Sequence, residues 1–120
     1  MTSPGPIFLT GFMATGKSRI GRGLALRLDR PFYDTDEMVE NRAGKPIFRI
    51  FSEEGEAVFR QLEAECIVDA ASRPDAVVAL GGGAIAHSEN RETIRASGGV
   101  LVCVQADVET ILDRGPDRTG

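Results

Sequence analysis

Four short segments carry residue types whose spacing can support chemistry. The first is Gly11-Phe12-Met13-Ala14-Thr15-Gly16-Lys17-Ser18. It fits G-x-x-x-x-G-K-[ST], the Walker A phosphate-binding loop. Glycines let such a backbone curl so that successive N–H groups face an anion. The helix that follows adds its own unpaired N–H groups and its dipole. Lys17 brings a point charge to the terminal phosphates, and the Ser18 hydroxyl can ligate Mg²⁺. The bland alternative is an ordinary tight turn from strand to helix.

The second segment is Asp34-Thr35-Asp36, two carboxylates two residues apart. In an extended backbone they share one face of a strand end. One can hold Mg²⁺, directly or through water, and the other can take a proton from an attacking hydroxyl. Alternatively Asp36 caps the next helix and Asp34 is solvated. The third is Arg60 with Glu63, three apart and able to touch on one helix face. That pair is either a surface ion pair of little weight or a guanidinium fork aimed at a substrate carboxylate and steadied by Glu63. The fourth, Gly81-Gly82-Gly83, is either a flexible turn or a place where a ligand approaches the backbone. Phe51 and Phe59 suit a core or a pocket wall, and His87 suits a loop.

Positioning these segments requires strands and helices in alternation. Ile7 to Thr10 is a short β-favouring run, and Ile20, Leu24 and Leu28 recur every four residues on a helix over 17–28. Pro31-Phe32-Tyr33 reads as a second strand ending at Asp34, followed by a helix from Asp36 to Ala43 closed by Gly44. Pro46 opens a short helix through Phe51. Ser52 can cap a longer one, with Val58, Leu62, Cys66 and Ala70 as its apolar stripe. Ala76 to Leu80 and Val100 to Val104 read as buried parallel strands. Ser88 can cap a helix through Ala96, and Asp107 can cap a last helix containing Ile111 and Leu112. The alternation predicts a parallel sheet with helices on both faces, and ligands in such folds sit beyond the carboxyl ends of the strands. The Walker loop, the Asp34–Asp36 pair and the Gly81–Gly83 run each follow a strand and so fall there, whereas Arg60 and Glu63 come from a helix.

The 120 residues suffice for one domain, its core spanning about residues 7–113. A net charge of −4 with no basic cluster argues against a nucleic-acid partner. No apolar run approaches membrane-spanning length, and residues 1–6 lack the features of a signal peptide. Cys66 and Cys103 lie far apart and outside any metal-binding spacing, so both are expected to be buried, reduced thiols in a cytoplasmic protein.

In order and spacing, the Walker loop, Phe32-Tyr33-Asp34-Thr35-Asp36, Ile50-Phe51-x-x-x-Gly55-Glu56-x-x-Phe59-Arg60-x-x-Glu63 and Leu80-Gly81-Gly82-Gly83 resemble the shikimate kinase family. The resemblance implies a three-layer P-loop NTPase-like α/β fold. It also implies ATP- and Mg²⁺-dependent phosphorylation of the 3-hydroxyl of shikimate, by a protein expected to act as a monomer. Under it, Lys17 and the loop residues Gly11, Met13, Ala14, Thr15 and Gly16 hold the phosphates. Ser18 ligates the metal, and Asp34 helps hold it through water. Asp36 contacts the substrate hydroxyls and acts as base. Arg60 pairs with the shikimate carboxylate, the backbone N–H groups of Gly82 and of its neighbours Gly81 and Gly83 bind substrate, and Phe51 and Phe59 line the pocket. The family pattern continues with a lid, a second carboxylate-binding arginine, a last strand and an adenine-contacting loop. The chain is expected to stop where the lid begins, with Arg118 a loose match to a lid arginine. A non-catalytic nucleotide- or shikimate-binding body and a gluconate-type kinase are the alternatives.

Overall fold

The computed structural model describes residues 5–11 and 17–104. The expected Asp107 helix and the candidates Met13, Ala14, Thr15, Gly16 and Arg118 lie outside the described residues. In chain order the elements are β1 (Ile7–Thr10), α1 (Lys17–Leu28), β2 (Phe32–Asp34), α2 (Thr35–Ala43), α3 (Ile47–Glu54) and α4 (Glu56–Ala71). There follow β3 (Val77–Ala79), a 3-10 turn (Ala84–Ala86), α5 (Ser88–Ala96) and β4 (Val100–Cys103). The strands form one parallel sheet in the order β2-β3-β1-β4. Among the described residues, no helix is long and apolar enough to cross a membrane.

The two sheet faces are built by alternation along the strands. Phe8, Val78 and Leu80 face Ile67 and Ala70 of α4, Ala84, and Ile94 of α5. Leu9 and Val77 face the other way, onto Ala25 of α1 with Ile20, Leu24 and Phe32 beside it. Residues Ala76 to Leu80 are almost wholly buried, as a strand covered on both faces requires. A third cluster, Val39, Ile50, Phe59 and Cys66, joins α2 and α3 to α4. Those two helices therefore dock on α4, and Met38 of α2 also packs against the sheet cluster.

Several sequence expectations need correction. On α1 the buried positions are Lys17, Gly21 and Ala25, while Leu28 is exposed. An every-four spacing drifts by about 40° per step around a helix of 3.6 residues per turn, so the third member of the stripe turns away from the core. The same drift shifts the face of α4, where Phe59, Glu63, Cys66, Ile67 and Ala70 are buried and Val58 and Leu62 only partly so. Ser52 caps nothing: its Oγ donates back to the Arg49 carbonyl within α3. The break falls at Gly55, with φ 95° and ψ 168°, whose N–H donates to the carbonyls of Ile50 and Phe51. The helix before it runs on to Glu54, where Lys45 pairs with both Glu53 and Glu54. Ser88 opens α5, and His87 occupies the cap position without a side-chain bond. β4 is not buried: all four of its residues are exposed, and Cys103 with them. It pairs only with β1, so among the described residues one edge stays open and its faces are thinly covered. Cys66 is buried, as expected.

Candidate functional site

The sheet order puts β1 beside β3, although the chain leaves β1 toward β2 and leaves β3 toward β4. Such a reversal opens a crevice at the carboxyl ends of two adjacent strands. Lys17, Ser18, Asp34, Asp36, Leu80 and Gly82, with Arg19, line a cavity of about 220 Å³ there. A wider groove of about 600 Å³ lies between α4 and α5, walled by Ala57, Arg60, Gln61, Glu65, Glu89 and Thr93 among others. The smaller cavity is the better candidate, because carboxylates, an ammonium and a hydroxyl from three strand ends converge on it.

One side of the cavity is cationic and rich in hard oxygen donors. Lys17, at the start of α1, is 8% exposed, and its Nζ donates to the Gly11 carbonyl at 2.9 Å. Ser18 Oγ donates to Asp34 Oδ2 at 2.6 Å. The other carboxylate oxygen of Asp34 accepts the N–H groups of Asp36, at 2.9 Å, and of Glu37, at 3.3 Å. Asp34 is therefore the N-cap of α2, and Asp36 is released from the capping role considered for it. The hydroxyl and carboxylate are the kind of donor set that could hold Mg²⁺, which takes few protein ligands and keeps waters and phosphate oxygens.

The opposite side is built on the three glycines after β3. A Cβ at Gly81 would stand 2.6 Å from Asp36 Oδ1 and 3.1 Å from Glu63 Oε2. A Cβ at Gly83 would stand 3.2 Å from an Nη of Arg60. The glycines thus let two carboxylates and a guanidinium close on the backbone. Arg60 Nη1 donates to Glu63 Oε1 at 2.9 Å, and Arg60 Nε lies 3.6 Å from Glu56 Oε2. The Glu63 side chain is 1% exposed, which overturns the reading of Arg60–Glu63 as a surface pair. Its Oε2 is buried and, among the described residues, has no hydrogen-bond partner. Phe51 and Phe59 stack at 4.8 Å between centroids, and the Arg60 guanidinium lies 5.0 Å from the Phe59 ring. Neither phenylalanine lines the smaller cavity.

Asp36 sits where these two sides meet. Burial, then the neighbouring charges of Asp34 and Glu63, push its carboxyl up to about 6, while Lys17 pulls the other way. A carboxylate so raised remains largely ionised at neutral pH yet is more basic than usual.

Gly11, Lys17, Ser18, Asp34, Asp36, Arg60 and Gly81 to Gly83 thus gather at the carboxyl end of the sheet, and Phe51 and Phe59 stand beside Arg60. Thr35 was missed. It is fully buried, and its Oγ1 accepts the Gly81 N–H at 3.0 Å. The expectation that the Gly81 N–H binds substrate is therefore corrected: Thr35 already holds that group. A threonine between two site aspartates was the one signal in the chain that could have marked it.

A family model described as shikimate kinase matches residues 13–119. The shikimate kinase of Symbiobacterium thermophilum is 48% identical over 108 residues, 90% of this chain and 62% of that protein. That of Desulforudis audaxviator is 50% identical over 108 residues, 90% of this chain and 57% of the relative. Among solved structures, shikimate kinase from Acinetobacter baumannii in complex with shikimate is similar at TM-score 0.82 and 35% identity, over 95% of this chain and 64% of that one. The Aquifex aeolicus enzyme matches at TM-score 0.77 and 41% identity, over 82% of this chain and 58% of that one. The chain spans less than two thirds of the length of each of these relatives.

Proposed function

The chain belongs to the shikimate kinase family, and from that premise we propose that its site transfers the terminal phosphoryl group of ATP to the 3-hydroxyl of shikimate. The observation that carries this reading is the two-sided cavity. A phosphate-suited wall of Lys17, Ser18 and Asp34 faces Asp36, with Arg60 beyond it along the glycine segment.

In this reading Lys17 and the loop from Gly11, with Met13, Ala14, Thr15 and Gly16, bind the phosphates. Ser18 and, through water, Asp34 would hold Mg²⁺, which when bound neutralises charge on the phosphate oxygens. Asp36 orients the attacking hydroxyl and accepts its proton as the oxygen bonds to phosphorus and ADP departs. Its raised basicity suits that proton transfer at neutral pH. Arg60, steadied by Glu63, presents a fork to the shikimate carboxylate. Gly82 and Gly83 offer backbone N–H groups to the acceptor, and Phe51 with Phe59 forms an apolar flank. We assign Arg118 to the nucleotide side on its loose match to a lid arginine. We also infer a single-domain monomer acting in the cytoplasm.

The test is ADP release from Mg·ATP with shikimate, with gluconate, and with neither. Release that requires shikimate and disappears in Asp36→Asn supports the proposal. Thermal stabilisation by shikimate without release identifies a binding body instead, and preference for gluconate defeats the shikimate assignment.

A further inference from the structure

β2 ends at Asp34, which is paired in register with Ala79 of β3. Two residues beyond Ala79 the chain reaches Gly81, but β2 has by then turned into α2 and offers no further strand backbone. The Thr35 side chain takes over. Its Oγ1 accepts the Gly81 N–H at 3.0 Å in a buried bond between residues 46 apart in sequence. Thr35 is 0% exposed and opens α2, so both the hydroxyl and the methyl group are enclosed. β-branching restricts its χ1, which keeps that oxygen aimed.

This bond has two consequences for the site. It draws Gly81 to the base of α2, where the absent Cβ admits Asp36 and Glu63. It also removes the Gly81 N–H from the donors that a ligand can reach. Among the described residues, the N–H groups of Gly82 and Gly83 have no acceptor. The glycine segment therefore presents two amides beyond Gly81, at a height set by Thr35.

We propose that Thr35 is a positioning residue for the acceptor side of the site: by holding the Gly81 amide it registers Gly82 and Gly83 against Asp36, and so sets the distance between acceptor-binding amides and base. The consequence for shikimate rests on the proposed function; the Thr35–Gly81 coupling does not.

The test compares Thr35→Val, Thr35→Ala and Thr35→Ser in the whole chain. Val keeps the shape without the acceptor, Ala covers the case in which Val fails to fold, and Ser restores the oxygen. We expect hydrogen exchange at the Gly81 amide, followed by NMR, to quicken at least about tenfold in Val or Ala and to stay near wild type in Ser. Calorimetry should show shikimate affinity about tenfold weaker in Val or Ala and restored by Ser, with Mg·ATP affinity unchanged in all three. Equal protection of Gly81 in wild type and in Val or Ala overturns the proposal. So does quickened exchange with undiminished shikimate affinity, which makes the bond merely structural. If wild type itself does not bind shikimate, the proposed function fails, and Thr35 is judged on Gly81 exchange alone.

Discussion

Asp36 shows how a single side chain can be costly to the fold and, on the proposed function, useful to the chemistry. Its carboxyl is held near 6, above its ordinary 3.8, first by burial and then by Asp34 and Glu63. Between those two values the folded state binds the proton more tightly than the unfolded chain, so stability falls as pH rises through the window and stays lowered above it. In metal-free buffer Asp36→Asn should therefore be more stable than wild type at pH 7 to 8, by about 1 kcal/mol after allowance for solvent screening. The difference should vanish below about pH 4, where Asp36 is protonated in both states. Urea unfolding at several pH values checks this; a gap that widens toward low pH would contradict the assigned direction. At the neighbouring Gly81 the constraint is space. Gly81→Ala puts a methyl 2.6 Å from Asp36 Oδ1 and 3.1 Å from Glu63 Oε2, so the carboxylates must move. A shift approaching 1 Å in a reacting group costs on the order of 100-fold in turnover. On the proposed function, shikimate-dependent kcat should fall by about that factor, with Mg·ATP affinity little changed, as steady-state kinetics and calorimetry can resolve.

Among the elements, the joint between α3 and α4 holds Phe51 against Phe59 and so sets the surroundings of Arg60. That joint is Gly55, whose φ 95° and ψ 168° suit only glycine without strain. No atom lies within 4 Å of where a Cβ would stand, so Gly55→Ala isolates the backbone effect. It should destabilise the fold by about 1–3 kcal/mol, read as a lower urea midpoint. An unchanged midpoint would show that the joint relaxes freely. The start of α2 is organised the same way, by few groups with several duties. One carboxylate, Asp34, caps the helix with Oδ1 and takes the Ser18 hydroxyl with Oδ2, tying α1 to α2 at the mouth of the cavity.

Over the whole molecule, the two halves of the proposed site are carried by different layers. α1 lies on one face of the sheet, whereas α4, which carries Arg60 and Glu63, lies on the other. Each ligand alone should then raise Tm by binding the folded state only. Arg60→Ala should abolish most of the shift given by shikimate and leave that given by Mg·ATP intact. Parallel loss of both shifts would indicate general damage to the fold and not loss of a carboxylate partner.

By itself the sequence determined the features that local chemistry controls. β1 and α1 fall where the apolar runs place them, and Gly44 closes α2. The order of the Walker loop, the paired aspartates, Arg60 and the triple glycine was legible because each is a short pattern of residue types. The tertiary structure alone decided which helical face is buried, because about 10° per residue accumulates until Leu28 leaves the core and Phe59 and Ile67 enter it. It alone decided that β4 is exposed, since a run of valines does not reveal how many neighbours its strand will have. It alone buried Glu63, freed Asp36 from capping and gave the Gly81 amide to Thr35. Those outcomes depend on distances between residues tens of positions apart, which sequence spacing does not encode and only the packing of the sheet and its helices supplies.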